Sequence, residues 1–192
     1  LYTIAPEIAS CEPEQLNSKE LPYLKYVIKM DNNLKHKTQF SMDDLLSKSS
    51  AEAIEKLRSG EKKIKPEDVA NIQFTSGTTG APKASTLTHF NILNNGWLLS
   101  ERLKYTENDK ICCSVPLYHC FGMVISNMAA ICTGSEVLFA DESFNAEASL
   151  KVITEKKATS VYGVPTMFIE YIKHLKNNPG EYDTSSCSTG VM

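Results

Sequence analysis

From residue 110 to residue 175 the chain alternates short apolar runs with longer amphipathic ones, and this alternation constrains the fold most. Lys110 to Val115, Glu136 to Ala140 and Thr159 to Tyr162 read as strands. Between and after them, Phe121 to Thr133, Ala146 to Lys157 and Thr166 to Leu175 read as helices. Gly134 ends the first, and Asn177, Asn178, Pro179 and Gly180 close the last. Strands separated by helices need crossover connections, so the expected fold class is α/β, a mainly parallel sheet flanked by helices.

Upstream the pattern is looser. Tyr23 to Met30 is β-rich and reads as a strand. Ser41, with Asp43 and Asp44 behind it, opens a short helix through Leu46, the acidic side chains lying in its first turn. A second helix is expected from Ala51 to Leu57, ending near Gly60, and a charged surface loop occupies 59–68. The character changes at Val69. Two portions follow: 1–69, a preceding αβ portion, and 70–192, an α/β portion that begins with a strand from Ala70 to Phe74. Thr88 is placed to cap a helix from His89 to about Tyr105, with Phe90, Leu93, Trp97 and Leu98 forming an apolar face. Ser188, Thr189 and Gly190 read as a turn before the final Val191-Met192.

Composition excludes several classes. Twenty Lys+Arg against 23 Asp+Glu give a net charge of -3, so the electrostatic footprint of a nucleic-acid binder is missing. The longest quiet stretch, Gly122 to Cys132, is too short for a membrane span and carries Ser126 and Asn127. None of the six cysteines forms a C-x-x-C pair, so neither a zinc-ribbon nor a thioredoxin-type signature is present. Cys112 and Cys113 lie side by side in an apolar run and read as buried free thiols, which fits a reduced intracellular compartment.

The run Thr75-Ser76-Gly77-Thr78-Thr79-Gly80-Ala81-Pro82-Lys83 concentrates the groups that hold a polyphosphate. Thr75, Ser76, Thr78 and Thr79 supply hydroxyl donors, Gly77 and Gly80 let backbone amides approach an anion, and Lys83 adds positive charge. It is not a Walker loop, because Pro82 precedes the lysine and Ala84 follows it. Pro82 biases Ala81 away from helix, and Lys83 to Leu87 has β character. The expected geometry is therefore strand–loop–strand. A P-loop kinase is disfavoured by the same spacing and by the lack of DFG or HRD runs.

This run resembles the phosphate-loop signature of the adenylate-forming superfamily, which comprises acyl-CoA synthetases, luciferases and adenylation domains. Pro116-Leu117-Tyr118-His119-Cys120-Phe121-Gly122 resembles its P-L-[FY]-H-x-x-G motif, and Tyr162-Gly163-Val164-Pro165-Thr166-Met167-Phe168 resembles the segment before its acyl pocket. NIQFTSGTTG, PLYHC, YGVPTMF and SERLK are similar to runs in medium-chain-type fatty acid:CoA ligases. The resemblance implies part of the large N-terminal domain of such an enzyme. It implies a ligase that uses ATP and Mg²⁺ to convert a fatty acid to an acyl-adenylate and passes the acyl group to coenzyme A. Thr75, Ser76, Gly77, Thr78, Thr79, Gly80 and Lys83 would hold the β- and γ-phosphates. His119 would sit beside the acyl carboxylate; a hydrogen-bonded structural histidine is the alternative. Tyr162, Gly163, Thr166 and Met167 would wall the acyl pocket, although core packing accounts for them equally well. The resemblance further implies a mitochondrial location, and partners limited to small molecules. Ala84 departs from the glycine usual after the loop lysine. The family's adenine, ribose and Mg²⁺ residues and its C-terminal catalytic lysine are expected beyond Met192, so this chain alone is expected to be inactive. A non-catalytic nucleotide-binding or interaction module is the alternative, opposed by the open sheet edge expected near residue 192.

Overall fold

The computed structural model describes residues 1–77 and 80–192. They fall into two compact units, Leu1–Ile64 and Lys65–Met192. In the first unit, β1 (Val27–Lys29) pairs in parallel with β2 (Gln39–Ser41). The strand expected over Tyr23 to Met30 shrinks to three residues because its partner offers only three ladder positions. Ser41 caps α1 (Met42–Ser47) through a reciprocal pair of bonds with Asp44. Helix α2 (Ala51–Glu61) extends beyond the expected Leu57 and ends one residue past Gly60. At that exposed position glycine costs only about 1 kcal/mol of propensity, and the helix absorbs it.

The second unit holds the chemistry-bearing motifs. An antiparallel hairpin joins β3 (Val69–Thr75) to β4 (Lys83–Thr88). Thr88 then caps α3 (His89–Leu103): its Oγ1 accepts from the Asn91 amide, and its own amide donates to Asn91 Oδ1. A four-stranded parallel sheet follows, in the order β6 (Glu136–Leu138), β5 (Lys110–Cys113), β7 (Ser160–Tyr162), β8 (Thr189–Val191). The expected parallel α/β arrangement is therefore the observed one. Ser188 to Gly190 is not a turn. Thr189 to Val191 extend along the free edge of β7, where their ladder bonds satisfy backbone groups otherwise left open.

The chain leaves central β5 toward β6 and then crosses back over β5 to reach β7. That reversal puts the crossover helices on opposite faces of the sheet. One layer contains Leu99 and Leu103 of α3, the segment Phe121–Met128, and α4 (Ala129–Thr133), packed on Ile111, Cys113 and Tyr162. The other contains α5 (Ala146–Lys156) and α6 (Pro165–Asn177), packed on Cys112 and Leu138. Strand alternation explains how the adjacent buried thiols of Cys112 and Cys113 serve different layers.

Two expectations about helices are corrected. Phe121 to Thr133 is not one α-helix, because Phe121–Met128 is π-helical and α geometry resumes only at Ala129. Gly134 closes it in the left-handed conformation, φ +75°. On α3 the packed side is not the one carrying Phe90, Leu93, Trp97 and Leu98, which are all exposed. The packed side carries Leu99, Leu103 and Gly96; a Cβ on Gly96 would lie 2.5 Å from Met128 Cβ, so close approach of the π segment excludes a larger residue there. No helix among the described residues is long and apolar enough to cross a membrane.

Candidate functional site

The β3–β4 hairpin carries the glycine-rich run Thr75–Lys83. Its register sets Thr75 opposite Lys83 and Phe74 opposite Ala84, so hydroxyl and ammonium flank the mouth of the loop. Thr75, Ser76 and Lys83 are exposed, and among the described residues no hydrogen bond engages the Ser76 hydroxyl or the Lys83 ammonium. Glycine is required at two loop positions. A Cβ on Gly77 would stand 1.9 Å from the Ala81 carbonyl oxygen, and Gly80 has φ +86°. The Gly80 amide donates to the Gly77 carbonyl at 3.1 Å. The Lys83 stem passes over Gly77, within 3.5 Å of where its Cβ would be. Thr78 and Thr79, also assigned to phosphate from sequence, lie outside the described residues. The strand–loop–strand geometry expected from Pro82 is the one found.

His119 stands where the loop after β5 enters the π segment. Its amide donates to the Pro116 carbonyl at 3.2 Å, and its carbonyl accepts from the Met123 amide at 2.9 Å. The Phe121 amide donates to Nδ1 at 3.0 Å, so a neutral imidazole keeps its proton on Nε2. The ring is exposed, and its outer nitrogen can donate to an anionic oxygen. Gly122 makes this corner possible, because a Cβ there would lie 2.4 Å from the Pro116 carbonyl oxygen.

Of the third motif, Tyr162 belongs to the core. It is fully buried, and its hydroxyl accepts from Tyr105 Oη at 3.1 Å; Tyr105 in turn bonds Ser160 Oγ at 2.5 Å. Burial pushes both phenols above the ordinary tyrosine range. Gly163 is buried, with its amide on the Val191 carbonyl at 3.1 Å. Thr166 is exposed, whereas Met167 reaches both core layers. The structure joins the second and third motifs directly, with the Phe121 and Tyr162 rings 6.0 Å apart. The hairpin meets the π segment through Asn71, whose side-chain amide lies 3.8 Å from Met123 Sδ.

The sequence reading missed a cleft of about 590 Å³ at the carboxyl ends of β5 and β6. On its floor Ser114 Oγ meets Tyr171 Oη at 2.6 Å and Ser149 Oγ at 3.3 Å. The two bonding partners lie 35 and 57 residues away, so no local pattern announces them.

Comparison with known proteins places these features in a family. The model of the family described as "AMP-binding enzyme" matches residues 5–191. The medium-chain acyl-CoA ligase ACSF2, mitochondrial, of Danio rerio is 37% identical over 193 residues, covering 100% of this chain and 31% of that protein. Acyl-CoA ligase SID4 of Ajellomyces capsulatus is 38% identical over 175 residues, covering 91% of this chain and 29% of that protein. Among solved structures, a long-chain-fatty-acid-CoA ligase (FadD1) from Archaeoglobus fulgidus aligns with TM-score 0.58 at 32% identity, over 66% of this chain and 25% of its own. The chain thus spans about three-tenths of the length of the curated relatives it matches.

Proposed function

Since this chain belongs to the AMP-binding enzyme family, we propose that the protein it forms part of is an ATP-dependent acyl-CoA ligase, and that residues 70–192 carry its phosphate clasp and part of its acyl site. In the first step a fatty-acid carboxylate oxygen attacks the α-phosphorus of ATP. The bond from that phosphorus to the bridging oxygen breaks, and pyrophosphate leaves with the electron pair. In the second step the thiolate of coenzyme A attacks the acyl carbon, and AMP leaves. The first displacement spreads charge over phosphate oxygens, so donors already positioned around them lower its barrier.

The single observation that carries this reading is the hairpin mouth, with Thr75 and Lys83 in register and Gly77 and Gly80 holding the loop between them. Thr75, Ser76, Gly77, Thr78, Thr79, Gly80 and Lys83 are assigned to the β- and γ-phosphates. His119 is assigned to the acyl carboxylate, with the Nε2 proton as donor. Gly163, Thr166 and Met167 are assigned to the acyl wall, and Tyr162 supports that wall from the core. The loop offers hydroxyls and an ammonium but no carboxylate, so its residues fit phosphate oxygens and do not fit Mg²⁺ as a cation. A mitochondrial location rests on the names of the animal relatives alone.

ATP–pyrophosphate exchange by the full-length protein tests the clasp. Lys83→Ala is expected to slow exchange by about a hundred-fold, the scale of losing one positioned donor to developing charge. Exchange unchanged in both Lys83→Ala and Thr78→Ala would overturn the assignment.

A further inference from the structure

Tyr105 has no part in the reaction described above, yet it is the hub of a buried hydroxyl cluster. It follows the end of α3, where Lys104 takes the left-handed conformation, φ 58°, and the Tyr105 amide donates to the Ser100 carbonyl at 2.9 Å. This closure brings the Tyr105 side chain onto β7. Ser160 and Tyr162 alternate with Val161 along that strand, so they share one face of the sheet. Tyr105 Oη lies 2.5 Å from Ser160 Oγ and 3.1 Å from Tyr162 Oη, and all three residues are buried.

The surroundings are apolar, with Ile111, Ala129 and Ala130 in the same cluster. Phenylalanine at 105 and 162, with alanine at 160, would fill this space with no polar group to satisfy and at little cost to stability. What the hydroxyls add is position. A ring held by contact alone can slide, whereas the Tyr162 ring is tied at its far end. That ring packs on the ring of Phe121, with centroids 6.0 Å apart and planes 38° apart. The Phe121 amide in turn donates to His119 Nδ1 at 3.0 Å. This bond leaves the proton of a neutral imidazole on Nε2 and fixes the rotation of the ring.

We propose that Tyr105 is a positioning residue for acyl activation: by holding Tyr162 it holds the Phe121 ring, and through the Phe121 amide it orients the His119 imidazole. This role rests on the assignment of His119 to the acyl carboxylate. Orientation matters there because the Nε2 proton must meet one carboxylate oxygen while the other attacks the α-phosphorus, and a small misplacement of either costs rate. Without the Tyr105 hydroxyl, the imidazole turns more freely and the carboxylate is aimed less well. ATP, assigned to the hairpin, is held as before.

Octanoate-dependent ATP–pyrophosphate exchange by the full-length protein supplies the test. Tyr105→Phe is expected to lower kcat/KM for octanoate about five-fold, the scale of one hydrogen bond, and to leave KM for ATP unchanged. Tyr162→Phe removes the other end of the same bond. It is expected to give the same loss, with no further loss when the two are combined. In a His119→Ala background neither variant is expected to have an effect, because the group they orient is gone. A role in core packing alone would lower activity equally with and without His119, or raise KM for ATP as well. Either result, or an unchanged kcat/KM in both tyrosine variants, would overturn the positioning role and leave the His119 assignment standing. An unchanged kcat/KM in His119→Ala would overturn that assignment and the role of Tyr105 together.

Discussion

Gly77 shows how strict a single position in the loop is. A methyl group there would collide with the Ala81 carbonyl oxygen, a backbone atom with no means of yielding. Gly77→Ala is therefore expected to cost about as much ligase exchange as Lys83→Ala, because the loop must open to accept it. Its thermal midpoint should fall little, since the loop is exposed. Ser126 gives the opposite case. It is fully buried, and its hydroxyl finds no partner among the described residues. Ser126→Ala is expected to raise stability by about 1 kcal/mol, measured by urea titration, because an unsatisfied polar group is removed. Cys112 supplies a pH signature. Burial pushes its thiol up to about 11, from about 9 in an open chain. The unfolded thiol thus ionises first, so the contribution of Cys112 is complete below pH 9 and fades as pH climbs to 11. It is expected to reach about 3 kcal/mol, read as the difference between the alkaline stability profiles of the parent and Cys112→Ala.

At the scale of elements, the helix–helix approach rests on small residues. Gly96→Leu on α3 would drive its Cβ into Met128, and it is expected to destabilise the second unit by about 1–3 kcal/mol in denaturant unfolding. Most elements were legible in the sequence, each for a local reason. Thr88 and Ser41 announced their caps, Gly134 its stop, and Pro82 the strand that follows the loop. What was not legible depended on partners far along the chain. Phe90, Leu93 and Trp97 form a convincing apolar face by spacing, yet the face that packs combines Leu99 and Leu103 with the buried Gly96 and Ser100, and the two small residues are invisible to a search for apolar spacing. Thr189 to Val191 become a strand only because β7 offers a free edge. The π register of Phe121–Met128 has no compositional mark at all. The same holds for the site: the hairpin motif is contiguous and could be read, whereas the Ser114–Tyr171 floor exists only after folding.

At the scale of the molecule, the four-stranded sheet of the second unit separates two layers of core. Cys112 faces one and Cys113 the other, across a single strand, β5. Among the described residues, Met167 is the one that packs against both layers. Leu150→Ala in one layer and Ile125→Ala in the other are expected to add in free energy to within about 0.5 kcal/mol, checked by a double-mutant cycle. The consequence reaches past stability. A lineage can rebuild the α5–α6 side and the cleft above it, one substitution at a time, without disturbing the side that carries the π segment and His119. The sheet acts as a partition between two independently variable halves, and chemistry on one side can be inherited unchanged while the other drifts.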